Sequence, residues 1–360
     1  MNKTKAPERA VIAMSGGVDS STAAVLLREE GFKVSGVMMQ LHSDPEGALE
    51  QSAAAVQAQR IAEKLSIPFE VLDLSQEFNK RVVAYFIESH EKGLTPNPCF
   101  VCNRQIKWGL LMDYVLGKEI HWLASGHYAR TVRRKDGIVE LYKAIDSQKD
   151  QSYVLAGLTQ DQLAHAVFPL GNLTKIQTRE IAHRYNLGFH GTKESQDLCF
   201  LNGETQETYL ALSAPYLFES GDIITLDGSR VGRHNGLANY TIGQRKGLGA
   251  GNREPIFVLR KDIQSNTLIV GERVSMGVKE IRVENINWIT GEDPIYPLEV
   301  DVKIRYRSSP RQATIHHPDA LGCDIIFDEP VRDPTPGQFA VIYQGEKVLG
   351  SAVITGQSME

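Results

Sequence analysis

The sequence predicts an α/β protein with an N-terminal doubly wound parallel sheet, a small central β-rich domain and a C-terminal antiparallel β-barrel. Through about Leu201, short apolar runs alternate with amphipathic helical segments, which is typical of a doubly wound sheet. Residues 221–251 are rich in glycine, asparagine and short β-type stretches, and from Val278 onward the pattern is strand-like. We therefore expect domains at residues 1–204, 205–277 and 278–360.

The N-terminal elements follow from hydrophobic periodicity. An uninterrupted apolar run at 10–13 predicts a buried strand, and 20–30 predicts a helix with one apolar face. Further strands are predicted at 34–39, 69–74 and 121–124, with further helices at 48–65 and 78–90. Because ligands bind beyond the carboxyl ends of such parallel strands, we expect the loop after the first strand to belong to the functional site.

The C-terminal domain shows strict alternation. Apolar residues 298, 300, 302, 304 and 306 alternate with charged residues, which predicts a strand with one buried face. This strand would place Lys303, Arg305 and Arg307 on one wet face, suited to phosphates. Strands at 325–327, 339–343 and 348–354 would complete a small barrel.

Composition and charge restrict the function classes. The chain has 360 residues, 42% hydrophobic and 23% charged residues, and a net charge of −5, as expected of a soluble globular protein. No apolar segment approaches the roughly 18 residues of a membrane helix, and the N-terminal apolar run is shorter than the ~7–15 residues of a secretory signal. We therefore expect a cytoplasmic protein without a membrane partner. Residues 229–261 hold seven Lys and Arg and one acid, Glu254, so a basic face can coexist with the acidic total.

Residues 14–21, Met-Ser-Gly-Gly-Val-Asp-Ser-Ser, connect the first predicted strand to the first helix. The two glycines let backbone N–H groups converge on an anion, and the helix N-terminus adds partial positive charge. Hydroxyls of Ser15, Ser20 and Ser21 can donate further hydrogen bonds. The sequence has no Gly-x-x-x-x-Gly-Lys-Ser/Thr string, so the loop would bind a phosphate chain without a Walker lysine. The alternative is an ordinary Gly-rich turn with a capping side chain.

The four cysteines are Cys99, Cys102, Cys199 and Cys323. In a cytoplasmic chain of this length they are catalytic, metal-binding or simply buried. A helix beginning near Cys102, after the Pro-Asn-Pro turn, would lower its pKa and favour thiolate. The residues alone leave open a zinc site that lacks a clear fourth ligand, a thioredoxin-type redox pair, and buried thiols. Cys323 suits a buried structural thiol, and we assign it no role.

Several strings together carry a family resemblance. Ser-Gly-Gly-Val-Asp-Ser resembles the pyrophosphate loop of the N-type ATP pyrophosphatases, whose fold is adenine nucleotide alpha-hydrolase-like. It is followed in order by Pro-Asn-Pro at 96–98 with Cys-Asn at 102–103, Gly-His-Tyr at 126–128, Lys-Asp-Gln-Ser-Tyr at 149–153, Ser-Gln-Asp-x-Cys-Phe at 195–200 and Thr-Ile-Gly-Gln-Arg-Lys-Gly at 241–247. With them the chain resembles, nearly end to end, the tRNA-specific 2-thiouridylases, which thiolate the wobble uridine.

The resemblance implies an ATP site at the loop, with Mg²⁺ neutralising the phosphates. The uridine C2 carbonyl oxygen would be adenylated there. Met39 and Gly126 would lie beside the adenosine. The implied nucleotide-binding residues are Ala13, Met14, Ser15, Gly16, Gly17, Val18, Asp19, Ser20, Met39 and Gly126.

The resemblance also implies a sulfur route. Cys199 would receive sulfur as a persulfide from a sulfur-relay protein or a cysteine desulfurase, attack C2 and expel AMP. Cys102 would then attack the Cys199 linkage, which releases sulfur to the base and leaves a disulfide for reduction. Where many family members have an acidic residue, thought to be a general base, this chain has Cys99. The three thiols could instead ligate an iron–sulfur cluster; we favour the iron-free route, because the Cys102–Cys199 pair alone accounts for delivery and release.

The implied partner is tRNA, with lysine, glutamate and glutamine acceptors. The Gly-rich loop at 244–246 independently suits contact with unpaired nucleotides. The candidate tRNA-binding residues are Asn97, Pro98, Cys99, Lys149, Asp150, Gln151, Gln244, Arg245, Lys246, Arg305 and Tyr306. Two other classes are a synthetase that adenylates a small molecule for amination and a non-catalytic RNA-binding module. The paired thiols argue against the first, and the intact pyrophosphate loop argues against the second.

Overall fold

A computed structural model describes residues 7–42, 52–189, 198–201, 203–248, 255–273 and 277–357. The start of the helix predicted at 48–65 and the string Ser195-Gln196-Asp197 lie outside the described residues. The strands are β1 (Arg9–Ala13), β2 (Lys33–Gln40), β3 (Phe69–Asp73), β4 (Trp122–Ser125), β5 (Ala129–Arg133), β6 (Val139–Lys143), β7 (Ala166–Val167), β8 (Ser220–Thr225), β9 (Arg230–Asn235), β10 (Ile256–Asp262), β11 (Thr267–Glu272), β12 (Gly277–Trp288), β13 (Leu298–Lys303), β14 (Arg311–Ile315), β15 (Cys323–Arg332), β16 (Phe339–Gln344) and β17 (Lys347–Gln357).

The helices alternate with the strands in the first half of the chain. The α-helices are α1 (Val18–Glu29), α2 (Ala53–Lys64), α3 (Ser75–Phe78), α4 (Ala84–Glu91), α5 (Pro98–Cys102), α6 (Leu111–Gly117), α7 (Ser152–Leu155), α8 (Gln160–Ala164), α9 (Lys175–Arg184) and α10 (Gln206–Ser213). Two π-helical segments, Asn79–Val83 and Asn103–Leu110, join α3 to α4 and α5 to α6. Short 3-10 helices lie at Cys199–Leu201, Pro215–Phe218 and Leu237–Asn239.

The N-terminal sheet is parallel throughout, in the order β3-β2-β1-β4-β7. Alternate residues of β1 enter different cores: Val11 packs in a cluster with Leu111, whereas Ile12 packs in a cluster with Leu27. Helices therefore cover both faces, and the predicted doubly wound sheet is confirmed. The strand order reverses between β1 and β4, so the crevice beyond their carboxyl ends is the expected ligand site.

The two C-terminal units are also as predicted. Four strands in the order β10-β11-β8-β9 form the central β-rich unit. Antiparallel strands β12-β15-β14-β13-β16-β17 form the C-terminal barrel, which closes because β12 also pairs with β17. The hairpin β5–β6 of the first domain adds to β17, with Leu141 in register with Val348. This pairing, which was not predicted, attaches the first domain to the barrel.

One predicted strand is too long. β13 ends at Lys303, and Arg305 lies in the turn that follows. The Ser308 hydroxyl accepts from the Arg305 N–H at 3.2 Å and donates to the Arg305 carbonyl at 2.9 Å. These side-chain bonds compete with a strand ladder. The prediction that Lys303, Arg305 and Arg307 share one strand face is therefore wrong.

A membrane span requires a helix of sufficient length and apolar character. None of those in the described segments is long and apolar enough to cross a bilayer.

Candidate active site

The loop after β1 folds back on itself at the crevice. The Ser20 hydroxyl accepts from the Ser15 N–H at 3.2 Å and donates to the Gly17 carbonyl, also at 3.2 Å. Gly16 has φ +74°, and a Cβ there would lie 2.4 Å from the Ala54 carbonyl oxygen, so only glycine fits. Gly17 is the N-cap of α1 and has no side chain to cover the first N–H groups. The loop therefore has the backbone geometry of an anion cradle.

Gly126 and Met39 flank this loop. A Cβ on Gly126 would lie 2.6 Å from the Ser20 nitrogen, so the Gly126 backbone lies directly against the start of α1. Ala13 is in register with both Val37 and Ser125, which puts the ends of β2 and β4 at the same edge as the loop. The predicted nucleotide residues thus lie together, although Met14 itself is buried in the core and can offer only its backbone.

Asp19 lies in a polar network that the sequence did not predict. Both its carboxylate oxygens accept from the Lys175 ammonium, at 2.7 and 2.8 Å, and Oδ1 also accepts from the Tyr128 hydroxyl at 2.8 Å. The Tyr128 hydroxyl lies 3.0 Å from the Thr178 hydroxyl. Lys175 is 8% exposed and opens α9. The capping box of Thr174 and Gln177 was a sequence signal for that helix start, but no sequence pattern indicates its contact with Asp19.

Cys102 lies inside its helix and not at the helix start that the predicted activation requires. Asn97 caps α5, accepting from the Phe100 N–H at 3.2 Å, and Pro98 is the first helical residue. The helix therefore begins four residues before Cys102, and its backbone continues past Cys102 into the π-helical segment. The Cys102 side chain is 6% exposed. Burial among apolar side chains raises the pKa of the Cys102 thiol to about 12. The prediction of a thiolate favoured by a helix start is wrong, because desolvation outweighs the distant N-terminal charge.

The three thiols of the site share one cation. Cys99 and Cys199 reach solvent, yet surrounding protein raises the pKa of both. The Lys107 charge opposes this burial effect at Cys99, Cys102 and Cys199 alike, and the other two thiols raise the pKa of Cys102 further. The Cys199 thiol is therefore near enough to Cys102 to raise its pKa. Among the described residues, no three His, Cys, Asp or Glu side chains are placed so that they could hold a metal ion.

Lys107 and His42 are site residues that sequence reasoning missed. Lys107 lies five positions after Cys102, in the π-helical segment, whose i to i+5 spacing aligns such positions. Burial lowers the pKa of His42, and a hydrogen bond to the Cys199 backbone opposes that effect. The spacing of five residues between Cys102 and Lys107 indicates a shared helix face only once the π-helical geometry of this segment is known.

The Pro-Asn-Pro segment is held against the barrel. The Gln338 amide donates to the carbonyls of Thr95 and Pro96 at 3.0 and 3.1 Å. The Phe100 ring stacks on Phe339 with centroids 3.6 Å apart. Asn97 and its neighbours Pro98 and Cys99 are thereby fixed at the boundary between the first domain and the barrel.

The candidate tRNA residues at 149–151 lie beside that boundary. Gln151 exchanges hydrogen bonds with the Tyr128 backbone, both at 2.9 Å, and the Asp150 carboxylate accepts from the N–H groups of Ala144 and Ser152. The Tyr306 hydroxyl donates to the Asp150 carbonyl at 3.3 Å. Burial raises the pKa of Tyr306, and Asp150 and Cys99 add smaller contributions in the same direction. Lys149 lies in the same loop, and its N–H donates to the Asp146 carbonyl.

Arg305 makes contacts within the protein that the sequence did not predict. Its guanidinium donates to the carbonyls of Ile242 and Asp333 and to the Thr335 hydroxyl. It therefore clamps the Gly-rich loop of the central unit to the barrel. Within that loop the Gln244 side chain accepts from the Thr241 N–H and donates to the Lys246 carbonyl. Arg245 and Lys246 are exposed at its tip.

Known protein families and relatives match this chain over most of its length. Residues 8–203 match the tRNA methyl transferase HUP domain, 212–272 the tRNA methyl transferase PRC-barrel domain and 278–354 the aminomethyltransferase beta-barrel domain. A tRNA-specific 2-thiouridylase MnmA of Magnetococcus marinus is 40% identical over 356 residues, 97% of this chain and 99% of the relative. One of Gloeothece citriformis is 41% identical over 350 residues, 96% of this chain and 99% of the relative.

Similarity to solved structures is weaker. The structure described as U34-tRNA thiolase NcsA from Methanococcus maripaludis with its 4Fe-4S cluster aligns with a TM-score of 0.35 and 16% identity. That alignment covers 60% of this chain and 69% of the other.

Proposed function

The chain belongs to the family of the tRNA-specific 2-thiouridylases, and we propose that it catalyses ATP-dependent 2-thiolation of the wobble uridine of tRNA. The observation that carries the proposal is the pairing, within one domain, of a phosphate cradle at 15–20 with thiols at Cys102 and Cys199 that share the Lys107 cation. The cradle suits activation of an oxygen, and the thiols suit its replacement by sulfur.

Adenylation is the first step. The C2 carbonyl oxygen of the uridine attacks the α-phosphorus of ATP, and pyrophosphate leaves. Backbone N–H groups of Gly17 and the start of α1 bind the departing pyrophosphate, while the loop hydroxyls fix its orientation. The Gly126 backbone can lie directly against the start of α1 because a Cβ at this position would collide with Ser20. Met39, at the adjacent strand end, suits contact with the adenosine.

Sulfur transfer is the second step. A persulfide on Cys199, supplied by a sulfur-relay protein or a cysteine desulfurase, attacks C2, and AMP leaves with the original oxygen. Cys102 then attacks the Cys199 sulfur, which breaks the sulfur–sulfur bond and leaves the transferred sulfur on C2. The resulting Cys102–Cys199 disulfide needs an external reductant before the next turnover. Lys107 supports these steps by favouring the anionic form of each thiol.

The target uridine would enter between the Pro-Asn-Pro segment and Tyr306. Asn97, Pro98 and Cys99 line this approach, and residues 149–151 shape its opposite side through their bonds to the Tyr128 backbone. Arg245 and Lys246, exposed on the clamped loop, suit the tRNA phosphates. The proposed acceptors are the lysine, glutamate and glutamine tRNAs.

The described residues of the site fit Mg²⁺ bound with ATP but do not fit an iron–sulfur cluster. Mg²⁺ commonly binds through substrate phosphates with one or two carboxylates, and Asp19 is the carboxylate of the loop, so Mg²⁺ would serve to neutralise ATP there. The Asp19 carboxylate is already bound by Lys175 and Tyr128. The ATP phosphates would therefore be the main ligands of Mg²⁺. The thiols as placed in the described residues do not form a metal-holding group, so we route no step through a cluster.

Reconstituted thiolation tests the proposal. The purified chain, ATP, a cysteine desulfurase with cysteine, and unmodified glutamate tRNA should yield 2-thiouridine at the wobble position, detected by nucleoside mass spectrometry. Cys199→Ser should abolish the product. Cys323→Ser is the matched control, because Cys323 is buried in the barrel and donates to the His316 carbonyl. Normal product from Cys199→Ser, or thiolation without ATP, would contradict the proposal.

A further inference from the structure

The partly buried ion pair of Asp19 and Lys175 at the phosphate cradle takes part in neither step of the mechanism above. Asp19 is the second residue of α1, so its acidic side chain belongs to the helix turn whose N–H groups would receive the pyrophosphate. An unpaired carboxylate at that point would repel the phosphates that the loop must bind. Lys175 meets both oxygens of that carboxylate from the start of α9, at 2.7 and 2.8 Å.

The surroundings of Lys175 hold it in this position. The Lys175 side chain is 10% exposed, whereas the Asp19 side chain is 32% exposed. The Lys175 N–H donates to Asp146 at 2.8 Å, and the Thr174–Gln177 capping box fixes the helix start. Tyr128 orients the same carboxylate from β4's side of the crevice. A partly buried ion pair of this geometry is far less screened than a surface pair.

We infer that Lys175 is a positioning residue for the nucleotide, which neutralises and orients Asp19 so that the loop remains an anion site. It takes the electrostatic place of the lysine that the loop sequence lacks, but it acts through Asp19 rather than by contact with phosphate. The inference rests on the proposed ATP site. It has a specific consequence: removal of Lys175 harms nucleotide binding only while the Asp19 charge is present.

Calorimetric titration with the α,β-methylene analogue of ATP, without Mg²⁺, tests this on the full chain. Lys175→Met should weaken binding at least tenfold, about 1.4 kcal/mol. Lys175→Arg should bind nearly as well as the unmodified protein. Asp19→Asn alone should bind at least as tightly, and Asp19→Asn with Lys175→Met should return to within roughly threefold of the unmodified protein. Lys118→Met is the control, since it breaks the exposed pair with Glu70 away from the loop.

Each outcome bears on the inference. If Lys175→Met binds within twofold of the unmodified protein, or if the double variant stays as weak as Lys175→Met, Lys175 does not act through the Asp19 charge. If Lys175→Met does not fold, as judged by its circular dichroism, the Asp19→Asn and double variants still decide. Absence of binding by the unmodified protein would instead remove the ATP site itself. Loss of thiolation with intact analogue binding would leave the Lys175 inference standing.

Discussion

The raised pKa of Cys102 predicts how the three site thiols react. A thiol with a pKa of about 12 is ionised to about one part in 10⁵ at pH 7, whereas an ordinary thiol, pKa about 8.5, is ionised to about one part in 30. Since alkylation proceeds through the thiolate, Cys102 should react at least roughly a thousandfold more slowly than an unperturbed cysteine. Its burial can only slow it further.

The pH dependence separates ionisation from access. Raising the pH from 7 to 9 should increase the Cys102 rate about tenfold per unit without a plateau, because the pH stays well below its pKa. Iodoacetamide labelling of the reduced protein at several pH values, read by peptide mapping, measures Cys99, Cys102 and Cys199 in one sample. Lys107→Met should slow all three, since its charge lowers the pKa of each.

The opposite pattern would refute this reasoning. A Cys102 rate that equals that of Cys199, or that levels off below pH 9, would mean that the thiol is activated in the free protein. An unchanged set of rates in Lys107→Met would remove Lys107 as the shared cation.

Three further predictions concern the loop, the tRNA surface and position 99. Ser15→Ala should abolish tRNA-dependent pyrophosphate release with little change in tRNA binding, and undiminished release would remove the pyrophosphate-loop assignment. Lys246→Ala should weaken tRNA binding and lower the dependence of log affinity on log salt concentration by roughly one unit. Arg305→Ala should weaken binding without changing that slope, because the Arg305 guanidinium binds acceptors within the protein. Filter binding that is unchanged in both variants would contradict both roles. Cys99→Asp should retain substantial thiolation, and anaerobically purified protein should lack iron; a near-stoichiometric cluster whose chelation abolishes activity would overturn the iron-free route.

Local patterns predicted the fold well where neighbouring residues decide it. The apolar run before the loop and the alternation at 298–303 each reflect burial of one strand, and both strands are present. The alternation failed at Arg305, because a serine three residues later bonds to its backbone and ends the ladder. The β5–β6 hairpin joins a strand about two hundred positions away, as Leu141 with Val348, and no local signal encodes that pairing.

The candidate site, like the fold, has some features that local sequence predicts and others that depend on distant packing. Short strings predicted the loop and the thiols, since each lies in a contiguous stretch of sequence. Lys107 and Lys175 were missed because their relevance depends on the π-helical turn after Cys102 and on the packing of α9 against α1. The sign of the Cys102 pKa shift was missed for a related reason: desolvation is set by what packs around a residue, which sequence spacing does not reveal.

The central claim is that Cys199 receives the sulfur and Cys102 releases it. Persulfide labelling with ³⁵S from a cysteine desulfurase, followed by peptide mapping, measures this directly. We predict label on Cys199 in the Cys102→Ser variant, without turnover when ATP and tRNA are added, and no label in Cys199→Ser. Label on Cys102 alone in the unmodified protein would contradict the assignment of the two thiols.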